Sequence, residues 1–460
     1  MGTYFNTHSH THYSNIRLLD CINHPKDLVN KAIELGLSGL AITDHECLSA
    51  HMEVNQLAEE IRKTNPDFTI ALGNEIYLVD DLSMGQKYYH FILIAKDALG
   101  HRCLRELSSK AWEHSYFDRG LERVPTLKSD LKEIVSKYKG HVIATTACIG
   151  GQASSSALRL MKCREQNDAQ GEQYYYNDEV NFINFCLDVF GDDFYIECAP
   201  AAYPDQILVN KTLLNIAKSF NIKMVVGTDA HYLRPEDRPM HKAYLNSKSG
   251  EREVDSFYEY TYLMSPNEVE ELLGLCFDKE TIQWIFDNTL DLQEKISFYS
   301  LRRKQIIPKI DVKYYQPYVD DSLKDFPIIH KLRAEGNDQE RYWVNECLIA
   351  LKQKGLDKKS EYLERLETEA DVIKYIGEKL DDCLFAYFNT FKHYINLFWE
   401  CGSIVGPGRG SSTGFLSNYL LGITQLDPIR WGLQYWRFLN KERVELPSLL
   451  LILGSCKKSV

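Results

Sequence analysis

Seven short apolar runs, each separated from the next by a helix-like stretch, constrain the fold of the first 235 residues more than any other feature. They fall at Thr3–Phe5, Ser38–Thr43, Phe68–Gly73, His90–Ala95, His141–Thr146, Phe194–Glu197 and Ile222–Gly227. Between them, Pro25–Leu35 reads as a helix with Pro in its first turn and Gly36 just past its end. Leu57, Ala58 and Ile61 mark a second helix, Leu104–Trp112 a third and Leu127–Tyr138 a fourth. Strands alternating with helices predict an α/β fold with a parallel sheet, and about seven such units in one domain suggest a barrel.

Polar residues sit where that reading makes them converge. His8, His10, His45, Glu75, Cys148, Asp229 and His231 lie at or just after the ends of apolar runs. In a β/α barrel those ends meet on one face, where active sites are built. His8-Ser9-His10 puts two imidazoles on the same side of an extended strand, because side chains alternate there. Asp229-Ala230-His231 repeats the spacing with a mixed oxygen/nitrogen pair. Glu75 has two oxygens with which to bridge two ions, and a Cys148 thiolate selects a borderline-soft metal such as Zn²⁺. A single strand-end His is more often a surface or hydrogen-bonded residue than a ligand. The whole constellation points to a multinuclear, hydrolytic metal site.

These segments resemble the motifs of the polymerase and histidinol phosphatase (PHP) superfamily, and most closely the PHP domain of bacterial DNA polymerase III α subunits. THSHTHYSNIRLLD at Thr7–Asp20 is similar to the opening motif, with three extra residues between Ser14 and Leu18. AITDH (Ala41–His45), GNEIYLV (Gly73–Val79), YHFILIAKD (Tyr89–Asp97), ACIGG (Ala147–Gly151) and GTDAHYL (Gly227–Leu233) complete the set. Carried over by position, the resemblance implies nine metal ligands: His8, His10, Asp20, His45, Glu75, His90, Cys148, Asp229 and His231. They would hold up to three divalent ions (Zn, Mn or Fe). Asp44 is expected to orient an imidazole or to cap a turn. The activity implied is phosphodiester hydrolysis at a primer 3′ end, a 3′→5′ proofreading exonuclease.

A second segment carries the same family likeness. Tyr362–Arg443 resembles the beginning of the polymerase III α palm, around the Gly-rich turn VGPGRGSS at Val405–Ser412. Glycines let backbone N–H groups approach an anion, and Arg and Ser add charge and donors. The turn lacks the G-K-[ST] ending of a P-loop. Gly408, Arg409, Gly410, Ser411 and Ser412 are the phosphate-binding residues that the resemblance implies. After Pro447 the family's alternating aspartates give way to Ser448-Leu449-Leu450-Leu451. Polymerisation with Mg²⁺ is therefore expected only in a complete enzyme.

The expected organisation is a distorted (β/α)7-type barrel over 1–235, a linker with short elements over 236–330, a mixed α/β partial palm over 331–447 and a divergent apolar tail over 448–460. The polar, Tyr-rich stretch 155–185 reads as an excursion between barrel elements. A net charge of −12 argues against a broadly basic nucleic-acid coat. The 12 cysteines contain no Cys-x-x-Cys and read as free thiols. With no targeting pattern and no apolar span, a cytoplasmic location is expected, with DNA and the remaining polymerase segment or replisome subunits as partners and no membrane. A stand-alone phosphoesterase, a metal-stabilised scaffold and a defective remnant are the alternatives.

Overall fold

The computed structural model describes residues 2–16, 19–83, 85–118, 121–247 and 256–447. The expected apolar tail over 448–460 lies outside them. The chain divides into two compact units, the first ending at Arg302 and the second starting at Arg303.

The strands of the first unit are β1 (Phe5–Asn6), β2 (Gly39–Ile42), β3 (Thr69–Val79), β4 (Tyr89–Ala95), β5 (Tyr116–Asp118), β6 (Leu121–Arg123), β7 (Pro125–Leu127), β8 (Val142–Thr145), β9 (Phe194–Cys198) and β10 (Met224–Val226). Its helices are α1 (Pro25–Glu34), α2 (His51–Ile61), α3 (Ala98–Glu113), α4 (Lys128–Lys137), α5 (Gln152–Glu165), α6 (Ala169–Phe190), α7 (Pro204–Phe220), α8 (Arg238–Leu245), α9 (Pro266–Leu273) and α10 (Lys279–Glu294). Among the described residues the sheet runs β1-β2-β3-β4-β8-β9-β10, with β7 beside β3.

The wall is not uniformly parallel as the alternation predicted. β4 is antiparallel to both β3 and β8. The cause is local: β3 returns directly into β4 through residues 80–88, with no crossover helix to reverse the chain. Backbone beyond the strand ends closes the barrel between first and last strands. The His10 N–H donates to Ala230 O (3.0 Å) and the Ala230 N–H to His8 O (3.4 Å).

Side-chain alternation fills both faces of the wall. Phe5, Ala41, Ile92, Ile94, Ile143, Tyr195 and Val225 form the inner core. Tyr4, Leu40, Ile42, Phe91, Leu93, Ala144, Ile196 and Val226 pack outward against the helices. α10 belongs to this barrel too. Its Leu292 enters the inner core, its Thr289 hydroxyl accepts from the Phe5 N–H (3.0 Å), and its Asn288 donates to Met224 O (2.9 Å). Fully burying a Leu side chain is worth about 1.5–3 kcal/mol. The stretch read as linker from 236 therefore divides at 302/303: α8–α10 complete the first unit, and Pro308 and Pro317 lie in irregular chain of the second. The excursion over 155–185 is a pair of packed helices, α5 and α6, inserted between β8 and β9.

In the second unit, α11 (Pro327–Glu335), α12 (Asp338–Gln353), α13 (Ser360–Leu380), α14 (Phe385–Glu400) and α15 (Leu416–Leu420) surround a core that includes Trp343, Phe385, Phe388, Phe415 and Phe438. All the described strands lie in the first unit, so the α/β character of the chain comes from the barrel. The described cysteines are free, and no described helix is long and apolar enough to cross a membrane.

Candidate metal centre

All nine candidate ligands meet at one end of the barrel. His8 and His10 follow β1, Asp20 sits in the next loop, His45 follows β2, Cys148 follows β8, and Asp229 and His231 follow β10. Glu75 lies within β3 and makes a parallel bridge to His45. His90 is at the start of β4 rather than its end. Because β4 is antiparallel, its start lies on the face where its parallel neighbours finish. Glu46, Ala147 and Asp229 take positive φ (44°, 59° and 50°) beside or within the cluster. Such left-handed non-glycine backbone costs about 1–3 kcal/mol and collects at functional sites.

The donor side chains are close-packed, and all but the half-buried His90 are buried. His8 Nε2 is 3.0 Å from His10 Nε2, and the two lie 3.2 and 3.0 Å from Asp229 Oδ1. Glu75 bridges the cluster, with Oε2 2.5 Å from His45 Nδ1 and Oε1 2.5 Å from His90 Nδ1. Cys148 Sγ is 3.5 Å from His90 Nδ1. Asp20 Oδ2 is 3.0 Å from His45 Nε2 and 3.8 Å from His231 Nε2. Three groups each bring their ligand atoms within 4.8 Å of one another: His10, His45 and His231; His8, His10 and Glu75; Glu75, His90 and Cys148. Asp20 Oδ1, both Glu75 oxygens, Asp229 Oδ1 and His45 Nε2 are buried without a well-formed hydrogen bond. Buried, unsatisfied carboxylate oxygens are costly unless a cation meets them, so the residues present fit divalent ions.

Hydrogen bonds outside the cluster aim the imidazoles. Ser14 spends its one hydroxyl proton on Asp44 (2.7 Å), so its oxygen accepts from His10 Nδ1–H (3.2 Å) and leaves Nε2 with the lone pair. His231 Nδ1–H donates to Asp229 O (2.7 Å) with the same result. Asp44 thus acts through Ser14 rather than on its neighbour His45, and it also accepts from the Thr11 N–H (2.6 Å). Three supporting residues were missed by the sequence reading. Ser14 lies inside the opening motif with nothing to distinguish it. His241, on α8, reaches back to Asp20 O (2.5 Å). Glu197 closes an apolar run, a signal the chain did offer, and is 2.8 Å from His8 Nδ1.

Charge inside the cluster divides the imidazoles. Burial opposes protonation of His8, but Asp229 and Glu197 override it and hold its pKa well above the ordinary range. Burial, reinforced by His45 and His231, lowers His10 to about 3. Burial, with Asp229 and Glu75 adding to it, pushes the Cys148 thiol up. A thiolate there needs positive charge beside it.

In the second unit, Gly408 (φ 128°) and Gly410 (φ 72°) give the turn its left-handed backbone. Arg409 and Ser411 are exposed. Ser412 turns inward, its hydroxyl donating to Arg409 O (3.1 Å). The Leu416 and Ser417 N–H groups donate to the buried Glu369 carboxylate (2.6 and 2.8 Å). Arg365 pairs with Glu369 (3.1 Å) and donates to Gly414 O and Leu433 O. Among the five residues expected to bind phosphate, the side chains of Arg409 and Ser411 therefore face solvent.

Comparison with known proteins matches each unit to a domain. Residues 6–201 match the PHP domain, and residues 334–449 match the bacterial DNA polymerase III alpha NTPase domain. The DNA-directed DNA polymerase of Bacillus phage SPbeta is 40% identical over 471 residues, covering 96% of this chain and 36% of the phage protein. The DNA polymerase III subunit alpha of Aquifex aeolicus (strain VF5) is 29% identical over 469 residues, 96% of this chain and 35% of its own. The chain thus spans about a third of the length of these relatives. Among solved structures, histidinol phosphate phosphatase from Lactococcus lactis, complexed with zinc, L-histidinol and phosphate, aligns over 54% of this chain and 95% of its own. It is 12% identical, with a TM-score of 0.28. By both matched domains and their order, the chain belongs to the family of bacterial and phage DNA polymerase III alpha-type proteins, with a PHP domain followed by a match to the DNA polymerase III alpha NTPase domain.

Proposed function

We propose that the first unit hydrolyses phosphodiesters at the 3′ end of a DNA primer with the help of divalent metal ions, as a proofreading exonuclease. The observation that supports this is the convergence of nine donor side chains, all buried except the half-buried His90, with Asp20 Oδ1, both Glu75 oxygens and Asp229 Oδ1 lacking a hydrogen-bond partner. His8, His10, Asp20, His45, Glu75, His90, Cys148, Asp229 and His231 would hold up to three ions of Zn, Mn or Fe. Bound ions would supply hydroxide near neutral pH and neutralise phosphate oxygens. The chain's own part is to hold imidazole lone pairs inward, to bridge two donor groups through Glu75, and to keep both in a buried, rigid setting. In a complete polymerase, Arg409 and Ser411 would meet the phosphates of an incoming nucleotide, with Mg²⁺ bound elsewhere in the palm. DNA and the remaining polymerase segment or replisome subunits are the partners this reading implies, in the cytoplasm.

The test is a 3′→5′ exonuclease assay on single-stranded and mismatched primer ends with added Mn²⁺ or Zn²⁺. Cleavage should appear with the wild-type chain and vanish with His10→Ala and with Asp229→Ala. Bound metal with a chromogenic phosphoester cleaved and DNA left intact would replace this substrate class with a small phosphoester. Bound metal that stabilises the fold without any hydrolysis would make the centre a scaffold.

A further inference from the structure

We infer that Glu197 is a positioning residue for the metal centre, holding His8 in the tautomer that presents its Nε2 lone pair to the cluster. The inference rests on the reading that the cluster holds divalent ions. Glu197 is fully walled in at β9, and every polar contact it makes has a direction. His8 Nδ1 lies 2.8 Å from Oε1. The Thr145 hydroxyl donates to Oε2 at 2.7 Å, and the Thr7 hydroxyl shares its proton between Oε2 (3.0 Å) and Val226 O (3.1 Å). A carboxylate supplied with two donors on one oxygen is left to accept from His8 on the other, so His8 carries its proton on Nδ1. The opposite nitrogen, Nε2, then faces His10 Nε2 (3.0 Å) and Asp229 Oδ1 (3.2 Å).

Gly227 is an independent sign that the contact is built in. A Cβ there would come within 2.5 Å of Glu197 Oε1 and 2.7 Å of the His8 Cβ. No other residue fits between the two without pushing them apart. Glu197 and His8 thus stand to each other as the carboxylate and the imidazole of a carboxylate–histidine–metal arrangement, in which the partner fixes the ring and raises its basicity. Asp44 does the same for His10 at one remove, through Ser14. Glu197 does it directly.

Two readouts on the whole chain test this, neither of them activity. The first is ¹⁵N NMR of the His8 ring in chelator-stripped protein, with the pH raised until the ring carries a single proton. The wild type should be protonated at Nδ1, and Glu197→Leu should move the proton to Nε2 or mix the two. A wild-type His8 protonated at Nε2 overturns the inference. The second is Mn²⁺ affinity, with the metal-free melting temperature of each variant as the check on folding. Loss of such a partner weakens metal binding about 10–100-fold, and Glu197→Gln, which keeps one acceptor oxygen, should lose less than Glu197→Leu. If Glu197→Leu does not fold, the cycle of Glu197→Gln with His8→Ala decides. The Glu197→Gln loss should disappear once His8 is gone, and a loss that persists in full makes Glu197 merely structural. If the wild type binds no Mn²⁺, the metal reading falls, and the tautomer measured without metal still settles the role of Glu197.

Discussion

Glu179 offers the sharpest test of the energetics of the first unit, because burial and an acidic neighbour set its protonation. It lies on α6 and lines a groove of about 370 Å³ between α5, α6 and α7, and its Oε1 has no hydrogen-bond partner. Leu160, Val180, Ile216 and Phe220 are among its apolar neighbours in that groove, with Arg164 and Lys211 also on its lining. Burial, and secondly the Asp178 charge, push its carboxyl up to about 8 from 4.5. The folded state then holds a proton that the unfolded state releases, so stability is fully present below pH 4.5 and is lost as pH rises toward 8. At about 1.4 kcal/mol per pH unit across that window, the loss by pH 8 is about 3–5 kcal/mol. Glu179→Gln cannot ionise and should escape it. Melting curves of the two proteins from pH 4.5 to 8 should therefore diverge steadily. By pH 8 the variant should gain about 5–10 °C relative to its offset at pH 4.5. Comparing the slope rather than the absolute temperatures removes any cost of the amide itself. An offset that stays constant across the range would mean that the carboxylate ionises freely in the fold, and the burial argument would fail.

Other perturbations separate the two units. Stripping the chain with a chelator should lower the transition of the first unit and leave the second unchanged. Free Mn²⁺ at a hundredfold its Kd should return about 2.7 kcal/mol, read as a rise in melting temperature. Glu369→Ala removes the acceptor for two buried N–H groups and the partner of Arg365, and should cost the second unit about 3–5 kcal/mol in denaturant titration. Gly408→Ala should destabilise the turn, since a Cβ at φ 128° would meet Thr413 Cγ2 at 2.7 Å. Arg409→Ala should leave the melting temperature unchanged while weakening nucleoside triphosphate binding, measured by fluorescence titration.

Much of the site was legible because strand ends are legible. His8, His10, His45, Cys148, Asp229 and His231 stand where apolar runs stop, and a barrel brings such stops to one face. His90 escaped that rule because it opens its strand, and only the family resemblance pointed to it. Nothing local in the sequence announces that β4 runs backwards. The helices α5 and α6 were hidden by their composition: Gln, Asn and Tyr suit a solvated face of a helix as well as they suit a loop. α10 closes on β1 across 284 residues of chain and on β10 across 64, contacts that no local pattern encodes. Of the prolines read as linker signals, Pro308 and Pro317 lie in irregular chain, whereas Pro327 opens α11.

The site and the closure of the barrel are one piece of structure. The seam between first and last strands is made by the backbone of His8, Ser9, His10 and Ala230, and the side chains flanking those peptide groups are His8, His10, Asp229 and His231. Asn6 reinforces the seam by donating to Thr228 Oγ1 (3.0 Å) and accepting from the Thr228 N–H (2.9 Å). Short edge strands, two residues in β1 and three in β10, supply little ladder of their own. Positive charge bound among those four side chains would draw both edges toward it. Without that charge, three carboxylates and five imidazoles share one space, held by their mutual hydrogen bonds and ion pairs and by outer partners such as Ser14 and Glu197. Ion binding energy at such a site acts as folding energy. In a barrel with a weakly paired seam and its densest donor cluster on that seam, ions held there would therefore help to close the fold as well as serve any chemistry done there.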